Sequence, residues 1–221
     1  KKEIFEDINE NKDKIYIYIY GIASGMSYLH SHNIIHCNLT KKSILLDDSF
    51  YPKITNFNYS KKLTNGQSTY TSDRFTKLSC PPEYLAPEIF TKKEYSKASD
   101  VYAFSILLNE IFSGIKPFRS DMTALKIMKN VVNEKTRPEF NDKVPDFYKE
   151  LIKKCWSENP AERPTFDEIV SILKTDPNLI NDENYQNYVK FIDSSQISFN
   201  QHQEFHQFDS ILNSQIECIQ K

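Results

Sequence analysis

The feature that most constrains the fold is a polar loop bracketed by short apolar segments between residues 33 and 58. Apolar and β-branched side chains cluster in residues 33–36, 43–46 and 52–55, and an Asp-Asp-Ser turn signal at 47–49 separates the last two segments. We therefore predict three short strands that hold the polar loop at one edge of a domain.

Helical spacing of apolar residues flanks this stretch on both sides. Residues 15–30 carry two patterns, because Ile and Tyr alternate from 15 to 20 as in a strand, while apolar residues also recur at helical spacing as far as Leu29. The length of the segment favours a helix. Residues 98–112 repeat apolar side chains at helical spacing, and Gly114 follows where a helix is expected to end. Further helices are predicted over residues 121–132, 146–155 and 165–173, the last opening with the capping box Thr165-x-x-Glu168.

The length and composition favour one domain followed by a tail. The chain has 221 residues, of which 39% are hydrophobic, and this is enough to bury a sizeable core. We assign residues 1–174 to this domain. From residue 175 the composition turns to Asn, Gln, Ser and His, so residues 175–221 are interpreted as an Asn/Gln-rich C-terminal tail that is partly helical or disordered.

Charge, hydropathy and cysteine usage argue against several classes of protein. A formal net charge of -2 gives no electrostatic reason to expect nucleic-acid binding. No run approaches the roughly 18 apolar residues of a membrane span, and the first residues lack the apolar segment of a secretory signal. Widely scattered cysteines predict free thiols and no metal site; they are Cys37, Cys80, Cys155 and Cys218. We expect a cytoplasmic protein that binds neither nucleic acid nor membrane.

Five segments in order resemble the motifs of the protein kinase superfamily. Residues 36–43, HCNLTKKS, resemble the catalytic loop H-R-D-L-x-x-x-N, and residues 56–58, NFN, resemble D-F-G. Residues 86–88 match A-P-E, residues 100–108 are similar to the buried helix after it, and residues 154–166 are similar to the late segment of tyrosine kinases and tyrosine-kinase-like kinases. The resemblance favours the tyrosine-kinase-like branch. It implies a mainly α (α+β) fold, a protein-kinase-like large lobe with a few short strands around the catalytic loop and without the small lobe.

The resemblance also assigns catalytic positions, and this chain fills them with neutral residues. Asn38 matches the general base, Thr40 matches the loop lysine, Ser43 matches the metal-binding Asn, and Asn56 matches the metal-binding Asp. An amide cannot hold a proton at neutral pH, and hard cations prefer carboxylate oxygen. The four glycines form no G-x-G-x-x-G phosphate loop. We therefore expect no cofactor and predict these degenerate positions to be inactive.

Four other motif residues are retained, and the resemblance gives them structural roles. Glu88 and Arg163 are expected to form an ion pair that ties the segment after the D-F-G position to the lobe, while Asp100 is expected to accept hydrogen bonds from the backbone of the catalytic loop. His36 is expected to support that loop. We interpret all four as scaffold residues.

The leading hypothesis is a pseudokinase large lobe that serves as a non-catalytic signalling or scaffold module, with other signalling proteins, possibly an active kinase, as partners. The alternative is an active tyrosine-kinase-like serine/threonine protein kinase that uses ATP and Mg²⁺, has its small lobe upstream, and substitutes Lys41 or Lys42 for the loop lysine. A decayed or partial gene product with no selected role is the third hypothesis.

Overall fold

A computed structural model describes residues 4–8, 14–64, 66–71, 80–176, 183, 185–190 and 193. Cys218 and most of the predicted tail lie outside these residues. Within them the fold is mainly helical with a few short strands, as the sequence predicts. None of the helices in the described ranges is both long enough and apolar enough to cross a bilayer.

The helices are numbered in chain order. They are α1 (Ile4–Ile8), α2 (Ile15–Ser31), α3 (Pro87–Lys92), α4 (Lys97–Ser113), α5 (Ala124–Val132), α6 (Asp146–Cys155) and α7 (Phe166–Leu173). Residues 185–190 are also helical. The segment with two competing patterns is therefore a helix, α2, and its Ile-Tyr alternation does not mark a strand.

Among the residues that the structure describes, the strands form three antiparallel pairs. They are β1 (Ile34–Ile35), β2 (Ile44–Leu46), β3 (Pro52–Ile54), β4 (Lys61–Lys62), β5 (Thr69–Thr71) and β6 (Glu94–Ser96). Strand β1 pairs with β4, β2 with β3, and β5 with β6. The β2–β3 hairpin closes around Asp47, whose Oδ1 accepts from the backbone N–H groups of Ser49 and Tyr51, each at 2.9 Å.

Helix α5 starts later than the sequence predicts. The expected start was residue 121, but the helix begins at Ala124. The side chain of Thr123 accepts a hydrogen bond from the Lys126 backbone N–H at 3.3 Å and so caps the helix. The Asp121 carboxylate pairs instead with the guanidinium of Arg119, at 3.0 Å.

Helix α4 is the centre of the core. Every residue from Ser99 to Ser113 is buried, which agrees with a helix that is apolar on most of its faces. It contacts α6 and α2, while α2 also packs against α7 and β3. At its start, the Ser96 side chain accepts from the Ser99 N–H at 3.2 Å, and Gly114 at its end has a left-handed φ of 69°. Because α4 is buried and central, groups on its first turn can position the polar loop.

Candidate functional site

Asp100, in the first turn of α4, holds the polar loop in place. Its Oδ2 accepts from the backbone N–H of His36 at 2.7 Å, and its Oδ1 accepts from the N–H of Cys37 at 2.9 Å. His30 Nε2 lies 3.0 Å from Oδ2. Cys37 has a left-handed φ of 63°, a conformation that is unfavourable for most non-glycine residues. The carboxylate therefore fixes a backbone conformation that the loop would not adopt by itself.

His36 links this loop to the end of β3. Its ring accepts at Nδ1 from the Asn38 N–H (3.2 Å) and donates from Nε2 to the Thr55 carbonyl (2.9 Å). Burial lowers the pKa of His36, with Asp100 acting in the opposite direction. The Thr55 N–H in turn donates to the Ser43 carbonyl at 2.8 Å. The structure thus brings the predicted positions Asn38, Ser43 and Asn56 together around one backbone junction.

Asn38 is 4% exposed, and its backbone rather than its side chain makes the contact with His36. Within the described ranges, no hydrogen bond joins its amide side chain to another residue. An amide in this place can donate or accept a hydrogen bond but cannot take up a proton at neutral pH.

The Ser43 hydroxyl is committed to the loop itself. Its Oγ donates to the Thr40 carbonyl at 2.7 Å and accepts from the Thr40 N–H at 2.8 Å. Ser43 is fully buried and Thr40 is 3% exposed. The single hydroxyl proton is therefore used, and the side chain closes the turn between Thr40 and β2.

Lys41 points into the domain toward α4. Its Nζ lies 2.7 Å from Oε1 of Glu110, a carboxylate that is 4% exposed, and the Tyr84 hydroxyl donates to Oε2 of the same group. Burial, followed by the charge of Glu110, raises the pKa of Tyr84. Lys41 is one of the two lysines that the alternative hypothesis could use, and it is paired with Glu110; the other, Lys42, is exposed.

Asn56 follows β3 in the left-handed region, with φ 66° and ψ 49°. Asn tolerates this conformation better than most residues. Its Oδ1 lies 3.4 Å from the Asn58 Nδ2, and the Phe57 ring meets the His36 ring edge-on at 5.3 Å. The unusual backbone falls on Asn56 and not on Asn58, the residue in the Gly place of the motif, since residues 57–59 form a 3-10 turn.

The oxygen donors at the two positions matched to metal ligands fit magnesium poorly. Asn56 offers a neutral amide oxygen, and Ser43 offers a hydroxyl whose proton is already used. Magnesium requires near-octahedral coordination and is held in proteins mainly by carboxylates and phosphates. In the part of the chain that the structure describes, no three His, Cys, Asp or Glu side chains are grouped so that they could hold a metal ion.

Glu88 and Arg163 form the ion pair that the sequence suggests. The guanidinium contacts both carboxylate oxygens, at 2.7 and 2.9 Å, and the Arg163 side chain is fully buried. Arg163 also donates to the carbonyls of Ser157 (2.9 Å) and Ala98 (3.0 Å). The group therefore joins α3, the start of α4 and the segment before α7.

The three described cysteines, Cys37, Cys80 and Cys155, are free thiols. Burial raises the pKa of each, to about 12 for Cys155. Thiolate is scarce at neutral pH under these conditions, so these side chains act as small apolar groups.

Comparison with known proteins gives a family match over most of the chain. Residues 7–173 match the model of the family described as protein tyrosine and serine/threonine kinase. The chain is 37% identical over 166 residues to serine/threonine-protein kinase 12 of Arabidopsis thaliana, with 72% of this chain and 34% of that protein covered. It is 33% identical over 159 residues to serine/threonine/tyrosine-protein kinase HT1 of the same organism, covering 69% and 37% respectively.

A probable serine/threonine-protein kinase of Dictyostelium discoideum is 30% identical over 177 residues, which are 78% of this chain and 10% of that protein. The chain therefore spans about a third or less of the length of these relatives.

Sequence reasoning missed Glu110, Tyr84 and His30 as parts of the site. Glu110 lies 69 residues from Lys41 and His30 lies 70 residues from Asp100, so local patterns do not connect them. One signal was available for Glu110, because an acidic residue within a helix that is otherwise apolar is rarely buried without a partner.

Proposed function

Because the chain belongs to the protein tyrosine and serine/threonine kinase family, we propose that it is a pseudokinase lobe that serves as a non-catalytic signalling or scaffold module. The observation that carries the proposal is that the polar loop keeps its backbone support but lacks the catalytic side chains. Its backbone is held by Asp100, yet the positions matched to the base and to both metal ligands contain no carboxylate, and the Ser43 hydroxyl is used within the loop.

The energetic argument concerns transition-state charge. Phosphotransfer depends on positioning and on neutralising the charge of the transferred phosphoryl group, for which the family uses metal ions and a lysine. Here Thr40 stands at the lysine position, and the ammonium group of Lys41 lies against Glu110. A general base alone contributes roughly 10²- to 10⁴-fold in rate, and Asn38 cannot supply it.

The test is phosphate incorporation by the full-length protein, given labelled nucleoside triphosphate, Mg²⁺ and a mixture of protein substrates. We expect no labelling above a sample without Mg²⁺, and no rise in melting temperature with nucleotide and Mg²⁺. A specific ligand at 100-fold its dissociation constant would add about 2.7 kcal/mol to the unfolding free energy. Magnesium-dependent labelling that disappears in an Asn56→Ala variant would contradict the proposal and favour the active-kinase alternative.

The matched variant restores the two carboxylates as Asn38→Asp with Asn56→Asp. These substitutions are nearly isosteric, so they test charge with little change of shape. We expect the restored protein to gain a magnesium-dependent rise in melting temperature that the natural sequence lacks. An equal rise in both proteins would show that the amides are not the obstacle to metal binding.

We further propose a cytoplasmic location and signalling proteins as partners, including an active kinase. The Glu88–Arg163 ion pair supports the choice of partners, because Arg163 joins α3 to the start of α4 as in an intact family lobe. The check is the phosphorylation rate of an active relative measured with and without the full-length protein; no change with any relative tested would count against this partner class.

A further inference from the structure

The described residues after 176 form a small amphipathic helix seated on the domain. Tyr185, Tyr188 and Val189 are 1%, 2% and 8% exposed, while Asn187 and Lys190 are exposed. The buried positions recur at helical spacing on one face. Residues 185–190 therefore have a defined inner and outer side.

The inner side fits a groove between α2 and the β2–β3 hairpin. The Tyr188 ring stacks on the Tyr51 ring at 4.5 Å, and the Tyr185 ring meets the Tyr20 ring edge-on at 5.7 Å. Gly21 forms the floor, because a β-carbon there would overlap the Tyr188 hydroxyl and would lie 2.5 Å from Pro52 Cγ. The groove depends on a missing side chain at one position.

Polar contacts set the direction of the helix in this groove. The Tyr185 hydroxyl donates to the Leu173 carbonyl at the end of α7, at 2.8 Å. At the other end, Lys174 Nζ lies 2.8 Å from Asp193 Oδ2, and the Tyr20 hydroxyl donates to Asp193 Oδ1 at 3.3 Å. The groove therefore holds two aromatic side chains that lie one helical turn apart, and a carboxylate that follows them in the chain.

The groove lies within the region that matches the family model, whereas the helix that fills it, residues 185–190, lies outside that region. Tyr20, Gly21, Tyr51 and Pro52 lie within the matched residues 7–173, whereas the occupant lies beyond them. The family match thus ends at α7, and the helix of residues 185–190 packs on the matched region from outside it.

We propose that this groove is a peptide-docking site and that residues 185–190, together with Asp193, occupy it as a detachable ligand in cis. The proposal does not depend on whether the chain transfers phosphate. Residues 177–184 lie between Asp176 and the ligand in the sequence. Because ligand and groove belong to one chain, docking is intramolecular, and an affinity that is modest for a free peptide suffices to keep the groove filled.

The experiment uses the whole chain and a labelled synthetic peptide with the sequence of residues 183–193. In the Tyr185→Ala/Tyr188→Ala variant the resident ligand is disabled and the groove is unchanged. We expect the labelled peptide to bind this variant at least about tenfold more tightly than it binds the natural chain, as measured by fluorescence anisotropy. The matched control is Asn187→Ala/Lys190→Ala, which alters the exposed face and should bind the peptide as weakly as the natural chain.

Two further samples make the result specific. A peptide in which both tyrosines are replaced by alanine should not bind the variant, and Gly21→Ala added to the variant should abolish binding. Equal and weak binding of the natural peptide to all folded variants would overturn the proposal and make the segment an ordinary part of the core. Gel filtration distinguishes cis docking from exchange of the segment between two copies, because exchange would give a dimer and also contradict the proposal.

Hydrogen exchange on the natural chain provides a second test of detachment, which applies even if the double variant fails to fold. A detachable ligand opens without global unfolding, so the amides of residues 185–190 should exchange at least about 100-fold faster than those of α4. Equal rates in the two segments would overturn the proposal.

Discussion

The buried residues that support the polar loop and the loop itself differ in the kind of polar side chain that they carry. The supporting residues are ionisable, whereas the loop carries neutral amides at the corresponding family positions. Glu88, Asp100 and Arg163 place ionisable groups in the interior, and each makes two or more hydrogen bonds. By contrast, Asn38 and Asn56 stand where the family resemblance expects carboxylates. The difference shows that the conformation of such a loop and its charge are separable, because a carboxylate on α4 supports the backbone whatever side chains the loop carries.

The largest expected effect is on the scaffold. Arg163→Ala would leave the mostly buried Glu88 carboxylate without its bidentate partner, and we expect a loss of about 3 to 5 kcal/mol in the free energy of unfolding by urea. Arg119→Ala is the control, since its pair with Asp121 is mostly exposed and should change stability by less than about 1 kcal/mol. Similar losses in the two variants would show that the buried ion pair stabilises the fold no more than the exposed pair does.

On the loop side, Ser43→Ala should have a smaller but clear effect. The substitution removes both hydrogen bonds to the Thr40 backbone and leaves a buried N–H and carbonyl with fewer partners. We expect a loss of about 1 to 3 kcal/mol by urea unfolding. A neutral result would mean that the Ser43 hydroxyl is not committed to the loop, and this would reopen its assignment as a ligand.

The pH dependence of stability tests the junction between the two regions. Burial lowers the pKa of His36 in the native state. Below the unfolded value of about 6.5, the unfolded chain therefore binds a proton that the native chain does not, and the free energy of unfolding should fall as pH falls. The slope reaches at most about 1.4 kcal/mol per pH unit from this group. Urea titrations between pH 7 and 5 should show a shallower slope for His36→Gln than for the natural chain, and equal slopes would contradict the assignment.

The smallest expected effect concerns the backbone at Asn56. Its φ of 66° is easy for glycine and unfavourable for alanine. We expect Asn56→Ala to be less stable than Asn56→Gly by about 1 kcal/mol in thermal unfolding. Equal stability of the two would indicate that the residue leaves the left-handed region in solution.

The sequence predicted what depends on periodicity and on local capping. The α4 boundary at Gly114 and the α7 capping box at Thr165 each follow from side chains within a few residues of the element. Helix α5 shows the limit of such reasoning, because Asp121 and Thr123 are both suitable caps and the helix is capped by Thr123, while Asp121 pairs with Arg119.

The sequence did not predict contacts between residues that lie far apart in the chain. Nothing near Lys41 in the chain indicates Glu110, and nothing near Gly21 indicates Tyr188. The family resemblance supplied the Glu88–Arg163 pair because it carries long-range information that the residues themselves do not. It carried none for the C-terminal helix, which lies outside the matched region.

The reliance of His36 and Cys37 on a carboxylate 64 and 63 residues downstream also bears on how the chain is made. During synthesis the ribosome releases this stretch well before α4, so it emerges without the group that imposes its shape. The strained turn at Cys37 should consequently be among the last pieces to settle. We expect this turn to become ordered late in folding and not to belong to the folding nucleus, because long-range contacts generally form slowly.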